Sequence, residues 1–448
     1  MKESRAIFTV FLTLLVSLTV LYGADLPLGH MDFVPTPERP VGWRGDGTGQ
    51  YPGATPPLEW SETKNIAWKT PLPSWIFSTP VPACGKVFTC AEPATLLCLD
   101  AKTGAVLWSH DHDKNGGNLA TGVNSRNSTP TPVCDGTRVY ARFANGVNVA
   151  YDLNGDRQWL IVRGENKPNV SIMDASPALF WDRLVICVGR ELLGLDTATG
   201  KEVWKYDTGS GDSKAHSPVI GHVGKTAMVL PAFGRALDPG SGQPATSELG
   251  INARNSSPMF MDGVVYAVGE ERGGNGWNAA VRLEPGATGI AVKELWKNRY
   301  GGAMGKSKFP DGPLGANVQE RFYASPVIYE GVLITQNQGG NLYAIDPETG
   351  GILKMFNLAN SAKAAAPQGG VAVMSPAVAG GRLFIKKRDG PVVVFQGKDL
   401  KEVARNYLDM SGVTKDMGGV HSFDSSLAFQ GNCIYVRTHK ALYCIGNK

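Results

Sequence analysis

The chain has 448 residues, of which 42% are hydrophobic and 19% are charged, and its formal net charge is +4. This composition can bury a large core and is not typical of a disordered chain, and the small charge of mixed sign predicts no affinity for nucleic acid. The 55 glycines and 29 prolines favour many short strands joined by turns.

The N-terminus has the pattern of an export signal. A positively charged start precedes an apolar run from Ala6 to Leu21, and the small pair Gly23-Ala24 follows. The run is shorter than the roughly 20 apolar residues of a membrane-spanning helix. Residues 1–24 are therefore predicted to be a signal peptide, which implies a periplasmic or extracellular protein. The alternative is an uncleaved anchor, because Tyr22 is bulky for a cleavage site; no later segment is predicted to span a membrane.

A repeated Ser/Thr-Pro pair organises the rest of the chain. It precedes an apolar run at Thr79-Pro80, Thr129-Pro130, Ser176-Pro177, Ser217-Pro218, Ser257-Pro258, Ser325-Pro326 and Ser375-Pro376, with a degenerate copy at Ser426-Leu427. Most copies are followed by a tight turn and a second alternating strand, such as residues 264–268. Self-similarity at intervals of about 40–50 residues is the signature of a repeat fold.

A second motif ends most repeats, an Asp-x-x-Thr-Gly turn followed by a Trp. Complete copies run from Asp100 to Trp108 and from Asp196 to Trp204, a shortened copy ends at Trp159 and an expanded one at Trp296, and Lys354 stands in the Trp place of another. The Asp can accept backbone N–H bonds and the Gly tolerates positive φ, which favours a tight turn. The Trp is a large apolar plate that can pack between neighbouring repeats.

Eight such repeats predict an all-β fold, an eight-bladed β-propeller of four-stranded antiparallel blades over residues 63–448. Residues 25–62 are rich in Pro and Gly and are predicted to be an extended lead-in. The last repeat stops before its fourth strand, and residues 65–70, with Trp68, have the character of that missing strand. We expect residues 65–70 to complete the eighth blade, because an open ring would leave two exposed sheet edges. The protein is predicted to be a monomer.

The Ala-x-Asp-x-x-Thr-Gly-x-x-x-Trp pattern is similar to the tryptophan-docking motif of the pyrroloquinoline-quinone (PQQ) quinoprotein propellers. The same repeat occurs in their non-enzymatic relatives, including the outer-membrane assembly propeller of Gram-negative bacteria. The lead-in residues 43–49 resemble those of secreted PQQ-like repeat proteins of planctomycetes. The resemblance covers roughly residues 40–448 and implies either a binding scaffold of the cell envelope or a PQQ-dependent alcohol or sugar dehydrogenase, because activity belongs to a site and not to a fold.

Polar residues just before the innermost strands are predicted to gather at one mouth of the central channel. They are Arg126, Asn127, Asp174, His216, Arg254, Asn255, Tyr323 and Asp424. The long polar loops 110–127, 300–323, 357–373 and 406–424 enter the same mouth, and loops of this length are usually functional or mobile. This pattern predicts a polar, partly cationic site for an envelope protein or a small ligand. The alternative is that these side chains satisfy loop carbonyls between blades.

The resemblance implies a test for the cofactor. PQQ dehydrogenases add a disulfide between adjacent cysteines, a Trp floor, and a calcium ion held by Glu, Asn and Asp, whereas no two of the seven cysteines here are adjacent. No Cys-x-x-Cys-His haem site is present either. These departures favour a non-catalytic scaffold and leave PQQ and calcium as alternatives.

Two weaker sites follow from local patterns. Asp111, Asp113 and Asn115 fit the first half of a calcium loop, but Gly122 stands where a bidentate Glu is needed. The second is a disulfide between Cys433 and Cys444. A two-residue turn at 438–439 would place these two residues directly opposite each other, and an exported protein meets an oxidising environment. The alternatives are two small apolar residues packed in a blade, and a longer turn that shifts the register.

Overall fold

The computed structural model describes most of the repeat region and the lead-in. The described residues are 26–72, 77–112, 128–163, 175–209, 216–253, 255–270, 276–287, 289–300, 322–337, 340–358, 374–387, 391–408, 425–438 and 440–446. The regular elements within them are β-strands, which form eight small sheets arranged as a propeller. The predicted all-β, eight-bladed fold is confirmed. In these stretches no helix is long and apolar enough to cross a membrane.

The first four blades follow one another along the chain. Blade 1 contains β3 (Val81–Ala83), β4 (Lys86–Ala91), β5 (Thr95–Asp100) and β6 (Val106–Asp111), and blade 2 contains β7 (Val133–Cys134), β8 (Arg138–Arg142), β9 (Val147–Asp152) and β10 (Arg157–Val162). Blade 3 contains β11 (Ala178–Phe180), β12 (Arg183–Val188), β13 (Glu191–Asp196) and β14 (Glu202–Asp207), and blade 4 contains β15 (Val219–Val223), β16 (Thr226–Leu230), β17 (Phe233–Leu237) and β18 (Pro244–Asn252).

The remaining blades include two strands from the N-terminal part of the chain. Blade 5 contains β19 (Met259–Met261), β20 (Val264–Glu270), β21 (Gly276–Gly286) and β22 (Gly289–Tyr300), and blade 6 contains β23 (Val327–Tyr329), β24 (Val332–Gln336), β25 (Asn341–Ile345) and β26 (Ile352–Asn357). Blade 7 contains β27 (Ala377–Ala379), β28 (Arg382–Lys386), β29 (Val392–Gln396) and β30 (Lys401–Asn406), to which β1 (Gln50–Tyr51) adds in parallel. Blade 8 contains β31 (Ala428–Gln430), β32 (Cys433–Arg437), β33 (Ala441–Ile445) and β2 (Ile66–Pro71).

Strand β2 is the outer strand of blade 8. It pairs antiparallel with β33, with Trp68 opposite Cys444 and Lys69 opposite Tyr443. Trp68 packs with Leu97 and Leu99 of blade 1 and with Tyr435 of blade 8. The strand therefore covers the edge of β33 and joins the last blade to the first.

Tryptophans on five of the eight outer strands join a blade to the next one. The indole N–H of Trp68 donates to the carbonyl of Ala101 at 2.9 Å. The same bond runs from Trp108 to Leu153, from Trp159 to Thr197, from Trp204 to Pro239 and from Trp296 to Pro347. Lys354, in the Trp place of blade 6, donates its Nζ to the carbonyl of Asp399 at 3.2 Å. The turn carbonyl of the next blade is thus satisfied even where the Trp is missing.

The turn glycine makes this docking possible. Gly104 has a φ of +74°, and a Cβ at this position would lie 2.6 Å from the Trp68 ring. The residue therefore supplies the left-handed backbone of the turn and also the space for the indole.

The Ser/Thr-Pro motifs form a chain of hydrogen bonds around the channel. In each link the backbone N–H of one motif donates to the hydroxyl of the next, as from Ser217 to Ser257 at 2.8 Å and from Ser257 to Ser325 at 2.9 Å. The other links join Thr79 to Thr131, Thr131 to Ser176, Ser176 to Ser217, Ser325 to Ser375 and Ser375 to Ser426. The hydroxyl at this position therefore connects neighbouring blades.

This chain of bonds corrects one repeat boundary. The motif of blade 2 is Thr131-Pro132, not the predicted Thr129-Pro130, because Thr131 makes both links and stands two residues before β7. Both pairs occur in the segment Ser-Thr-Pro-Thr-Pro, and the spacing alone did not distinguish them. The two Arg-Asn-Ser segments that begin at residues 126 and 254 are consequently two positions out of register within their repeats.

Removing one hydroxyl from this series of hydrogen bonds is expected to destabilise the fold. Ser257→Ala leaves the buried N–H of Ser217 without its acceptor, which costs about 1–3 kcal/mol of unfolding free energy. Ser257→Thr keeps the hydroxyl, as Thr79 and Thr131 do in their blades, and is expected to cost less. Chemical denaturation of the two variants tests this, and equal midpoints for wild type and Ser257→Ala would refute it.

Candidate functional site

The direction of the strands defines the two ends of the propeller. Each blade begins with its inner strand, so the Ser/Thr-Pro motifs, the ends of the second strands and the ends of the outer strands all lie at one end, here called the loop end. The turns between the first and second strands lie at the opposite end, here called the turn end. The predicted mouth site belongs to the loop end.

Only part of the predicted mouth site lies within the described residues. His216, Asn255 and Tyr323 are described, whereas Arg126, Asn127, Asp174, Arg254 and Asp424 lie outside. His216 is buried edge-on to Phe233, with ring centroids 5.4 Å apart. Tyr323 is half-buried. The mouth site as a whole stays a prediction.

Asn255 bonds to a buried carboxylate. Its Nδ2 donates to Oε1 of Glu270 at 2.5 Å, and the other carboxylate oxygen accepts the N–H of Phe322 at 3.2 Å. Glu92 has a similar role in blade 1, where it accepts the N–H of Ser128 at 3.0 Å. These bonds hold the segments that enter blades 2, 5 and 6, and the role of Asn255 in ligand binding stays a prediction.

The loop end has a ring of buried polar side chains that was not predicted from the sequence. Five of the eight second strands end on such a residue, namely Arg142, Glu270, Gln336, Lys386 and Arg437. Lys386 Nζ donates to the carbonyl of Ser425 at 2.7 Å and to that of Arg437 at 3.3 Å. Burial lowers the pKa of Arg437 to about 9. A charged or amide side chain at the end of a mostly apolar strand was the signal that could have identified these residues.

The lead-in closes part of the turn end. The N–H of Trp181 donates to Pro37 O at 2.8 Å, the N–H of Thr55 donates to Gly431 O at 2.7 Å, and Val41 and Cys134 exchange two backbone bonds. These contacts attach the lead-in to blades 2, 3 and 8. The lead-in therefore crosses the channel, because the blades that it contacts lie at separate places around the ring.

Arg44 anchors the lead-in inside the channel. Its side chain is 1% exposed, and Nη2 donates to the carbonyls of Thr48, Pro326 and Pro376 at 3.1, 2.8 and 3.3 Å. Burial lowers the pKa of this guanidinium to about 10. Arg44 thus links the lead-in to the inner strands of blades 6 and 7.

A cavity of about 250 Å³ remains between the lead-in and the inner strands of blades 3 and 4. The lead-in contributes Glu38, Arg39, Trp43, Asp46 and Thr48 to its wall, and the blades contribute apolar residues together with His222. The cavity therefore combines apolar walls with a few polar groups, as small-molecule sites do.

Asp46 is one of the two carboxylates that line this cavity, with Glu38. Its Oδ1 accepts the N–H of Thr48 at 3.0 Å and the hydroxyl of the same residue at 2.5 Å. The surrounding protein raises the pKa of Asp46 through desolvation, although these hydrogen bonds oppose the shift. Desolvation also lowers the pKa of His222. Both groups are thus shifted towards their neutral forms.

His112 lies near the loop end of blade 1. Its buried ring is expected to make the unfolding free energy depend on pH. The ring is buried, and its Nε2 lies 3.2 Å from the Tyr151 hydroxyl. Burial, with a further contribution from His110, lowers the pKa of His112 to about 4. The unfolded chain therefore takes up a proton near pH 6.5 that the folded chain does not take up until about pH 4.

The preferential protonation of His112 in the unfolded chain is expected to lower the unfolding free energy by roughly 3 kcal/mol as the pH drops from 6.5 to 4. His112→Gln removes the titrating ring and should flatten the dependence. Denaturant unfolding at several pH values measures the slopes. Parallel slopes for wild type and His112→Gln would contradict the prediction.

The calcium prediction is only partly within the described residues. Asp111 is exposed as the last residue of β6, opposite Thr95, whereas Asp113 and Asn115 lie outside. Among the described residues no three His, Cys, Asp or Glu side chains are grouped as metal ligands.

The described loop end does not match the PQQ site that the resemblance implies. Its buried carboxylates, Glu92 and Glu270, already accept bonds from backbone N–H groups and from Asn255. The adjacent-cysteine disulfide has no counterpart in the sequence. We therefore derive no chemical step through this cofactor.

The register predicted for Cys433 and Cys444 is wrong. Cys444 lies opposite Tyr435, and Arg437 pairs with Leu442 instead of Lys440. The reason is a longer turn, in which the N–H of Thr438 donates to the carbonyl of Ala441 at 2.8 Å. The two thiols are diagonal neighbours, and the nearby Cys444 lowers the pKa of Cys433, so the disulfide stays a prediction.

Comparisons with known proteins place this geometry in a family. A family model described as outer membrane protein assembly factor BamB matches residues 60–223 and 261–447. The quinohemoprotein alcohol dehydrogenase ADH-IIG of Pseudomonas putida is 25% identical over 215 residues, covering 44% of this chain and 30% of that protein. The chain thus matches less than a third of that relative's length.

Two solved structures share the fold. BamB from Moraxella catarrhalis has a TM-score of 0.55 at 15% identity, covering 83% of this chain and 94% of that one. The quinohemoprotein alcohol dehydrogenase from Comamonas testosteroni has a TM-score of 0.51 at 13% identity, covering 91% of this chain and 81% of that one. At these identities the likeness shows the fold alone.

Proposed function

Because the chain belongs to the family described as outer membrane protein assembly factor BamB, we propose that it is an exported, non-catalytic β-propeller. It binds an envelope protein, or a small ligand, at its loop end. Activity belongs to a site and not to a fold, so the proposal rests on how the two ends of the propeller differ.

The observation that supports the proposal is a structural difference between the two ends of the propeller. The turn end is spanned by the lead-in, which bonds to blades 2, 3 and 8 through backbone groups. At the loop end, long connections leave β6, β22, β26 and β30 and return to the next inner strand. Variable loops on a rigid scaffold are where binding residues usually lie. The ring of buried polar side chains at this end contains three cations, a carboxylate and an amide.

Photo-crosslinking from two matched aromatic positions tests the proposal. Tyr407 at the loop end is 50% exposed, and Trp181 at the turn end is 53% exposed. A photoreactive residue at position 407 is expected to give one discrete adduct in the source's envelope fraction, whereas position 181 is expected to give none. Adducts of equal yield from both positions, or from position 181 alone, would refute a partner at the loop end.

A second candidate is a PQQ-dependent oxidoreductase, which the match to a quinohemoprotein alcohol dehydrogenase favours. The purified chain with added PQQ and calcium is expected to show neither a bound-cofactor spectrum nor dye-linked oxidation of alcohols or sugars. Tight binding together with turnover would replace the scaffold proposal with the enzyme.

A further inference from the structure

Two thiols from different blades meet at the turn end. Cys84 lies in the turn between β3 and β4 of blade 1, and Cys134 ends β7 of blade 2. Both sulfurs contact the same residue: Cys84 Sγ lies 3.8 Å from the carbonyl oxygen of Gly136, and Cys134 Sγ accepts the Gly136 N–H at 3.4 Å. The proximity of the two thiols also lowers the pKa of Cys84 and raises that of Cys134.

The backbone on both sides holds these thiols in place. Cys134 exchanges backbone bonds of 2.8 and 2.9 Å with Val41 of the lead-in. Gly85 accepts the N–H of Ala101, which fixes the turn that bears Cys84. Cys134 is fully buried, whereas Cys84 is half-buried. Cys84 is therefore accessible to a reagent in solution, whereas Cys134 can react only with Cys84.

We propose that Cys84 and Cys134 form a disulfide that ties blade 1 to blade 2 beneath the lead-in. The bond needs an oxidant, and the class we assign is an external disulfide, such as oxidised glutathione or a thiol–disulfide oxidoreductase. Since both sulfurs already contact Gly136, little movement is needed to close the bond.

The surroundings of the two sulfurs fix the order of the exchange. The nearby Cys134 lowers the pKa of Cys84, while Cys84 and burial raise the pKa of Cys134. The Cys84 thiolate attacks one sulfur of the external disulfide, forms a mixed disulfide and releases one thiol. Cys134 then loses its proton to water and attacks the Cys84 sulfur, releasing the second thiol. Two protein thiols are oxidised, and one external disulfide is reduced to two thiols.

Peptide mapping after exchange with oxidised glutathione tests the proposal on the unmodified chain. Reduced protein is equilibrated with the reagent and alkylated, and its peptides are separated without reduction. We expect a crosslinked peptide pair carrying Cys84 and Cys134. Recovery of both residues as alkylated thiols, or of Cys84 as a stable glutathione adduct, overturns the proposal.

A resolving-cysteine variant checks the order. Cys134→Ser is expected to stop at the glutathione adduct of Cys84, whereas the control Cys187→Ser, in blade 3, still forms the crosslink. A crosslink from Cys84 to another cysteine in Cys134→Ser would show that the assigned pairing is wrong. In the cell, formation of the disulfide also rests on the proposed export of the protein. The exchange in vitro does not depend on export, so it tests the disulfide separately from the proposed function.

Discussion

A chain truncated before Thr70 is expected to lose more stability than the roughly 3–5 kcal/mol that truncation of one buried tryptophan costs. The truncation removes the lead-in and most of β2, and with them Trp68, whose ring packs on Leu97 and Leu99 of blade 1. It also exposes the edge of β33, which β2 covers from Ile66 to Pro71. A typical domain has only about 5–15 kcal/mol in total, so we expect a greatly lowered melting temperature and self-association through the open edge.

Two point variants distinguish the effect of losing the closing strand β2 from the effect of losing one tryptophan ring. Trp68 and Trp159 are each 8% exposed, and their indoles donate to turn carbonyls at 2.9 and 2.8 Å. Trp68→Ala and Trp159→Ala are therefore expected to cost similar amounts, both less than the truncation. Thermal unfolding followed by circular dichroism gives the three values. A truncated chain that melts with the wild type would show that β2 does not close the ring.

The blade pattern was predictable because its determinants are local. An Asp, a Thr and a Gly within five residues specify the turns that begin at Asp100, Asp196 and Asp346, and in the first two a Trp four residues after the Gly reaches the next turn. Lys354 shows the limit of that reasoning. The sequence marks it as a departure from the motif, yet its Nζ donates to the Asp399 carbonyl as an indole would.

The errors also have physical causes. Blade 2 offers two overlapping Thr-Pro pairs, and only the link from Thr131 to Ser176 distinguishes them. The hairpin before Cys444 has a longer turn than predicted, because the N–H and the hydroxyl of Thr438 both donate to the carbonyl of Ala441. Turn length sets strand register, and the residues of this turn permitted both lengths.

The cavity between the lead-in and the inner strands of blades 3 and 4 was not predictable from the sequence. Its walls join the lead-in to residues of β11 and β15 that are more than a hundred positions later. Composition indicated that residues 25–62 would be extended, but it could not indicate which blades they contact. The position of Asp46 depends on the closure of the whole ring.

Arg44→Ala is expected to be the most destabilising single substitution in the lead-in. The guanidinium is fully enclosed, and Nη2 alone joins Thr48 to Pro326 and Pro376 of the inner channel wall. Its loss leaves these buried carbonyls without a donor, at about 1–3 kcal/mol for each group left unsatisfied. The enclosed Nε and Nη1 have no hydrogen-bond partner among the described residues, so relief of their desolvation offsets part of this cost. We expect a net loss of about 3 kcal/mol.

Arg44→Lys is the matched control, because it keeps the charge but has one compact ammonium in place of the planar fork. It is expected to retain part of the stability, since a single Nζ can still reach one or two of the carbonyls. Limited proteolysis distinguishes a local effect from a global one: in Arg44→Ala the lead-in should be cleaved before the propeller unfolds, because its anchor inside the channel is gone. If Arg44→Ala keeps both the wild-type melting temperature and the protease resistance of residues 26–62, the lead-in is held by its backbone bonds to blades 2, 3 and 8 and not by this side chain.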